Sequence, residues 1–303
     1  MPSRLRSAVT DWAHNLRRLL VPRPPWRAEA EFAFYRVEPS ALHEQLDRQR
    51  RWWRQGQLVG LGVVDALGLL DRDRLSGLRV LELGAGECML GQALVQAGAA
   101  EVWAVDAVPK QIWAAATHAS QREKSGAGSR LHCVIADVLD LPFSAGSFDL
   151  VVANLVLHHV RPLAGLLGEV RRVLAQGGQF VALEPAPLIG MLVHDQTSDN
   201  EAPLWPGAVT EALTHSGFVQ AAHEYQWVRL RSPVLGPLSP SYRVSARRAG
   251  ASRPAQLGFR RQLVPSALPG LMVDGGCQFA QLVEQQLAAI SECVEQKGLL
   301  ERL

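Results

Sequence analysis

The chain has 303 residues, 48% of them hydrophobic and 20% charged, and its formal net charge is +2. This composition is ordinary for a globular protein with a full core, and so small a net charge gives no reason to expect a nucleic-acid partner. The four cysteines form no C-x-x-C pair, so we expect neither a structural metal site nor a disulfide framework. The sequence shows no run of about 18 apolar residues and no secretory signal. We therefore expect a cytoplasmic protein without a transmembrane segment.

Residues 1–77 predict a helical N-terminal extension. In residues 1–27, which contain six arginines, apolar residues recur at helical spacing. The pattern predicts a basic amphipathic helix that ends at the prolines of 22–25. It fits a targeting peptide, a membrane-surface helix or a helix packed on the domain. Residues 28–56 and 58–70 predict further helices.

Between residues 78 and 185 the chain alternates between apolar runs and helical segments, with short connections. Near-continuous apolar strands separated by helices are typical of a parallel sheet that is covered on both faces. The predicted strands are 78–83, 101–106, 130–136, 148–154 and 179–184, and the predicted helices are 88–97, 109–120 and 162–174.

The pattern changes after Pro185. Residues 186–206 predict an irregular insert on the substrate side, and a helix follows at 207–215. Two further strands, within 218–230 and 241–247, predict a hairpin at the edge of the sheet. The expected fold is therefore α/β, with a doubly wound sheet of seven strands that is mostly parallel and has an antiparallel last strand.

The C-terminal segment predicts a loop at 250–275, followed by an amphipathic helix with an apolar stripe from Phe279 to Val294. Such a stripe predicts either a face that docks on the domain or a homodimer contact. The predicted parts of the chain are an N-terminal extension or cap (1–77), a central domain (78–248) and a C-terminal extension (249–303).

The stretch V-L-E-L-G-A-G at 80–86 predicts a strand that ends in a tight turn before a helix. A glycine without a Cβ lets the backbone approach a ligand, and the free N–H groups of the first helical turn face that ligand. Dinucleotides and S-adenosylmethionine both use this arrangement. The dinucleotide fingerprint G-x-G-x-x-G needs a third glycine where this chain has Met89. Glu82 places a carboxylate near the turn, which suits an ammonium group better than a phosphate.

Acidic residues end the next two predicted strands. Asp106 follows the second strand, where a carboxylate can bind both hydroxyls of a ribose. Asp137 follows the third strand and can accept a hydrogen bond from the exocyclic amine of adenine, while Val138 covers the ring. Either acid alone is commonly a strand-end cap or a surface residue. Together with the glycine turn, at three successive strand ends, they predict one nucleoside site.

Residues 78–185 resemble the class I S-adenosylmethionine-dependent methyltransferases, particularly those that act on small molecules. The matching motifs are V-L-E-L-G-A-G-E at 80–87, V-D at 105–106, A-D-V-L-D-L-P-F at 136–143, S-F-D-L-V-V-A-N-L-V-L-H-H-V at 147–160 and E-V-R-R-V-L-A-Q-G-G-Q-F at 169–180. The resemblance implies a Rossmann-like fold with S-adenosyl-L-methionine as the cofactor. The cofactor-binding residues it implies are Glu82, Gly84, Ala85, Gly86, Asp106, Ala107, Asp137, Val138 and Asn154.

The resemblance also bears on the acceptor of the methyl group. The fourth strand is not followed by the N-P-P-Y type of motif that holds a flipped adenine, so an exocyclic-amine DNA methyltransferase is not expected. We predict in-line transfer to an O, N or C atom of a small, apolar or aromatic metabolite. The alternatives are an RNA or protein methyltransferase, a cofactor-binding protein without catalysis and an NAD-dependent oxidoreductase.

A general base is needed only where the acceptor must lose a proton. The candidates are His158 and His159, with His158 preferred, and then His194 and Asp195, since a histidine titrates near neutral pH. The alternative interpretation is that a histidine at position 158 or 159 caps the start of the following helix. The aromatic residues Phe32, Phe34 and Tyr35 predict either a lid or part of the core.

Overall fold

The structure is a computed structural model that describes residues 28–54, 58–69, 75–124, 130–187, 203–228 and 239–296. The predicted basic helix within residues 1–27 lies outside the described residues. So do His194, Asp195 and most of the predicted insert. Within the described ranges, no helix is both long enough and apolar enough to span a bilayer.

Three helices precede the sheet: α1 (Ala28–Phe34), α2 (Pro39–Arg54) and α3 (Leu58–Ala66). Proline at the first position of α2 suits a helix N-terminus, because the missing N–H has no partner there in any helix. Leu42 and Leu46, four residues apart on α2, are buried on one face. The helical prediction for this region is therefore confirmed, with a break at residues 35–38 between α1 and α2.

The central βα units follow the prediction closely. The elements are β1 (Arg79–Leu83), α4 (Met89–Gln96), β2 (Glu101–Asp106), α5 (Pro109–Lys124), β3 (Leu131–Ile135), β4 (Phe148–Asn154), a short 3-10 turn (Leu157–His159), α6 (Leu163–Val173) and β5 (Leu174–Pro185). The strands are almost entirely buried, as expected of parallel strands with helices on both faces.

The remaining elements are α7 (Pro206–His215), β6 (Phe218–Val228), β7 (Ser239–Arg248), β8 (Leu263–Pro265), β9 (Leu271–Asp274) and α8 (Ala280–Gln296). Within the described residues the strands form one sheet in the order β6-β7-β5-β4-β1-β2-β3-β9-β8. Strand β7 is antiparallel to β5 and β6. Because β1 lies between β2 and β4, the chain reverses direction across the sheet there, and ligands of such sheets bind outside the carboxyl ends of the strands at that point.

The predicted α/β fold class is confirmed, but the described sheet has nine strands and not seven. The two additional strands, β8 and β9, lie in residues 250–275, for which the prediction of a loop was wrong. Strand β9 pairs in parallel with β3, and β8 pairs antiparallel with β9. Strands of three and four residues are too short to show a periodic pattern, and β9 pairs with β3, which lies more than 100 residues away in the chain.

Two apolar layers cover the sheet. One contains α1 to α5 and α8, with Trp113 fully buried in it, and the other contains α6 and α7. Helix α8 buries Val283, Ile290 and Val294 in the first layer, so its stripe docks on the domain. The homodimer contact through this helix stays a prediction. Both ends of the described chain therefore lie on the same face of the sheet.

Candidate active site

The glycine turn after β1 has a backbone conformation that favours glycine. Gly84 and Gly86 both have positive φ angles, +56° and +51°, which side chains with a Cβ rarely adopt. A Cβ on Gly84 would lie 2.6 Å from Cγ2 of Val156. The turn is tied to the next strand because the N–H of Ala85 donates to the carbonyl of Val105 over 2.9 Å. The end of β1 is therefore packed directly against the residues that follow β4.

Asp106 fixes this turn from the end of β2. One carboxylate oxygen accepts the N–H of Gly86 and the other accepts the N–H of Val108, both over 2.9 Å. Burial raises the pKa of Asp106 to about 6, and the two backbone hydrogen bonds oppose that effect. The predicted ribose-binding carboxylate and the predicted glycine turn are therefore one hydrogen-bonded unit.

Asp137 occupies the equivalent position after β3. Its Oδ1 accepts the N–H of Leu139 over 2.9 Å, and its Oδ2 accepts a hydrogen bond from the side-chain amide of Gln278. Burial raises the pKa of Asp137, against the lowering effect of these two hydrogen bonds. Gln278 lies just before α8, and sequence reasoning missed it because nothing local indicates that it returns to the third strand.

Six of the predicted cofactor-binding residues line one cavity above the carboxyl ends of β1 to β4. They are Gly84, Gly86, Asp106, Ala107, Asp137 and Val138. The cavity encloses about 790 Å³ of empty space, part of it open to solvent. The other lining residues are Glu31, Tyr35, Val108, Gln111, Leu139, Leu155, Val156, His159, Val160, Arg161 and Phe279. We call this space the nucleoside cavity.

The other three predicted cofactor residues, Glu82, Ala85 and Asn154, line a second cavity that also contacts Gly84. We call it the tail cavity. Oε2 of Glu82 and Oδ1 of Asn154 are buried and have no hydrogen-bond donor among the described residues. Burial raises the pKa of Glu82 to about 8, while a hydrogen bond from the backbone of Gly91 lowers it.

Arg48 of α2 is a further residue of the tail cavity that sequence reasoning missed. It forms an ion pair with Glu87 in the loop after the glycine turn, with 2.5 Å between Nη2 and Oε1. The N-terminal extension thereby contacts the glycine turn across the tail cavity.

The two candidate histidines have different surroundings. His158 is 1% exposed, and its Nδ1 lies 2.6 Å from Oε2 of Glu184. It does not line the nucleoside cavity, whereas His159 does. Glu184, at the end of β5, also accepts the N–H groups of Val156 and Leu157 over 2.9 and 2.8 Å. The structure thus places the preferred candidate, His158, in a buried pair that shapes the turn, and places His159 on the cavity wall.

Both extensions cover the nucleoside cavity. Glu31 and Tyr35 reach it from α1 and the following turn, and Phe279 reaches it from the start of α8. The ring of Phe279 lies 6.4 Å from the buried ring of Phe32, whereas Phe34 is 43% exposed. Of the three aromatic residues singled out from the sequence, Tyr35 lines the cavity and Phe32 belongs to the core.

Residues 81–182 match the model of the methyltransferase domain family. These residues form a methyltransferase domain, and this part of the chain is similar to the class I S-adenosylmethionine-dependent methyltransferases. The match runs from β1 to β5 and contains the glycine turn, Asp106 and Asp137. Glu31, Arg48 and Gln278 lie outside it. The walls of the two cavities therefore combine the methyltransferase domain with residues from both extensions.

Named relatives share the methyltransferase domain. The sterol 24-C-methyltransferase ERG6B of Gibberella zeae is 33% identical over 108 residues, which cover 36% of this chain and 28% of that protein. A ubiquinone biosynthesis O-methyltransferase of Methylocella silvestris is 36% identical over 118 residues, 37% of this chain and 44% of that protein. The ubiquinone/menaquinone biosynthesis C-methyltransferase UbiE of Rhizobium johnstonii is 27% identical over 194 residues, 62% and 69% of the two chains. The chain spans less than half the length of the first two.

Proposed function

We propose that this chain is an S-adenosylmethionine-dependent methyltransferase that acts on an O, N or C atom of a small, apolar or aromatic metabolite. The observation that carries the proposal is the pair of cavities that share Gly84. The nucleoside cavity presents Asp106 and Asp137, and the tail cavity presents Glu82 and Asn154. Carboxylates for a ribose and an adenine on one side of the turn, and acceptors for an ammonium group on the other, match the two halves of S-adenosylmethionine.

The polar groups of the tail cavity support the fit of this cofactor. A buried acceptor without a donor is unfavourable, and Glu82 and Asn154 each have one such oxygen among the described residues. The ammonium group of the methionine part would supply donors to these oxygens. The turn itself leaves room for a ligand, because a Cβ on Gly86 would meet no atom within 4 Å.

When bound, S-adenosylmethionine supplies a methyl group that its sulfonium has already activated for displacement. The residues of the chain then have to bind and orient the cofactor and the acceptor and to exclude water. Orientation alone lowers the reaction barrier by up to roughly 7–11 kcal/mol. Asp106 and Asp137 are suited to orientation, because backbone amides already fix their carboxylates. Tyr35 and Phe279 cover part of the nucleoside cavity, which is suited to reduce the access of water to the reacting atoms.

The wall of the nucleoside cavity supports an apolar or aromatic acceptor. Most of its side chains beyond the predicted cofactor residues are apolar or aromatic: Tyr35, Val108, Leu139, Leu155, Val156, Val160 and Phe279. Pockets for small molecules typically combine such a wall with a few polar groups. The names of the relatives, which refer to sterol and ubiquinone biosynthesis, agree with an acceptor of this kind.

Calorimetric titration with S-adenosylmethionine, and separately with NADH, tests the cofactor. We expect saturable binding of the first and none of the second, and the reverse result would contradict the proposal. Incubation with methyl-labelled S-adenosylmethionine and fractionated cell extract then tests the acceptor. Label in the small-molecule fraction supports the proposal, and label in RNA or protein supports the alternative acceptors. Binding without transfer to any fraction would indicate a cofactor-binding protein without catalysis.

A further inference from the structure

We propose that Glu31 and His159 form the acid–base pair of this site, and that the acceptor is a hydroxyl or phenol oxygen, which loses its proton during transfer. This inference rests on the proposed function and narrows it to one class of acceptor. It assigns a role to Glu31, which lies in α1 and outside the methyltransferase domain.

The geometry of the pair supports this role. Nδ1 of His159 lies 3.7 Å from Oε1 of Glu31, and both residues line the nucleoside cavity. The two side chains are 17% and 12% exposed, so the pair is largely shielded from water but accessible from the cavity. The separation of Nδ1 and Oε1 is an ion-pair distance and is longer than a hydrogen bond, so the carboxylate acts on the imidazole through its charge and favours the imidazolium.

The other titratable groups around His159 are committed elsewhere or unsuited to accept a proton. Asp106 and Asp137 each accept hydrogen bonds on both carboxylate oxygens. His158, whose ring centre is 4.3 Å from that of His159, is paired with Glu184. Of the two remaining titratable lining residues, Arg161 carries no acceptor and Tyr35 is a weak acid. His159 is therefore the proton acceptor that the cavity wall offers.

The step balances without any further reactant. A bond forms between the acceptor oxygen and the methyl carbon as the bond from that carbon to sulfur breaks, and the electron pair of the broken bond stays on sulfur. The proton of the acceptor hydroxyl goes to Nε2 of His159, and the carboxylate of Glu31 stabilises the resulting imidazolium. The proton passes to water when the product leaves. A well-placed base of this type contributes about 10²–10⁴-fold to a rate.

The pair is tested first without any acceptor, by NMR titration of the His159 ring in the full chain, with the resonance assigned by its loss in His159→Gln. In Glu31→Gln we expect the midpoint of this titration to move to lower pH, because the carboxylate that stabilises the imidazolium is gone. Glu29→Gln is the matched control, since Glu29 is an exposed residue of the same helix, and it leaves the midpoint unchanged. An unchanged midpoint in folded Glu31→Gln would overturn the pair. If that variant does not fold, Glu31→Asp replaces it, because the shorter side chain withdraws the carboxylate.

Calorimetry on the same proteins separates the two proposals. Failure of the wild type to bind S-adenosylmethionine contradicts the proposed function, whereas binding with an unchanged midpoint in Glu31→Gln contradicts only the pair.

The labelled product then tests the acceptor class. Hydriodic acid releases an oxygen-bound methyl group as volatile methyl iodide, so volatile label supports the inference and label that stays on carbon overturns it. We also expect His159→Gln to lower the rate of transfer by at least about 10²-fold while its affinity for S-adenosylmethionine stays within about twofold.

Discussion

The floor and the cover of the site are held in different ways. The floor is formed by the strand ends, where three buried carboxylates, Asp106, Asp137 and Glu184, accept backbone N–H groups of the adjoining turns. The cover is formed by both extensions, and two glutamine side chains attach it to Lys110 at the start of α5. Gln286 accepts the N–H of Lys110 over 2.8 Å, and Gln45 donates to its carbonyl over 3.0 Å.

This difference predicts that the two parts respond differently to substitution. A carboxylate that accepts backbone N–H groups holds the turns at the strand ends in place, so its loss disturbs the fold as well as the site. A neutral side-chain amide makes weaker hydrogen bonds than a carboxylate, so its loss should loosen the cover and leave the sheet intact. The following variants test this separation, from the largest expected effect to the smallest.

The first variant is Glu184→Ala, which leaves the N–H groups of Val156 and Leu157 and the ring of His158 without their acceptor in a buried site. We expect the free energy of unfolding to fall by about 3–5 kcal/mol, because each buried donor loses its partner. Urea denaturation measures the change. Glu184→Gln keeps one carbonyl oxygen and should lose less. A loss below about 1 kcal/mol for the alanine variant would show that this carboxylate does not hold the turn.

The second variant, Glu82→Gln, tests a buried carboxylate that lacks a donor on one oxygen. Burial raises the pKa of Glu82 to about 8 from an ordinary value of 4.5. Between pH 4.5 and pH 8 the carboxyl group of Glu82 is protonated in the folded chain and ionised in the unfolded chain. The stability contributed by Glu82 is therefore full below about pH 4.5 and falls as the pH rises toward 8. The glutamine variant has no such loss.

Denaturation at pH 5 and at pH 8.5 measures this dependence. We expect Glu82→Gln to gain about 2–4 kcal/mol relative to the wild type between the two pH values. The exposed Glu29→Gln should show no such gain. Equal pH dependence of Glu82→Gln and the wild type would mean that Glu82 is ionised in the folded chain throughout this range.

The third variant, Asp106→Ala, removes the carboxylate proposed to bind the ribose. We expect the affinity for S-adenosylmethionine to fall by more than about 1.5 kcal/mol, because a charge-assisted hydrogen bond is lost. Calorimetry measures the change. Asp106→Asn, which keeps a carbonyl oxygen for one of the N–H groups of Gly86 and Val108, separates the loss of charge from the loss of the turn. Unchanged affinity in a folded alanine variant would contradict the ribose assignment.

The glycine turn, Asp106 and Asp137 could be predicted from the sequence because they lie at or directly after the ends of buried strands. Gly84 and Asp106 each come after an apolar run, and parallel strands bring their carboxyl ends to one edge of a sheet. The cover could not be predicted in the same way, since it depends on long-range contacts such as that between Gln278 and Asp137. Nor could the sequence pattern show that His158 is buried against Glu184 while His159 lines the cavity. The two residues are adjacent and of the same type, and they differ only in their contacts in the fold.

The sequence contains one signal for the cover. Gln45 lies beside Leu42 and Leu46, and Gln286 lies on the stripe between Val283 and Ile290. All four apolar residues and both glutamines are buried. A glutamine on the apolar face of an amphipathic helix has to find a buried polar partner. Such a position therefore predicts a specific polar attachment, even where it does not identify the partner.

The last variant, Gln286→Ala, tests this attachment. Besides accepting the N–H of Lys110, Gln286 donates to the carbonyl of Tyr35 over 3.0 Å, so it joins α8, α5 and the turn after α1. We expect a loss of about 1–2 kcal/mol in the free energy of unfolding and faster amide exchange around Tyr35, with the strands still protected. Gln285→Ala, at the exposed neighbouring position of the same helix, should change stability by less than about 0.5 kcal/mol. If Gln286→Ala instead reduced stability and strand protection as much as Glu184→Ala, the cover and the floor would unfold as one unit, and the difference in their attachment would have no energetic consequence.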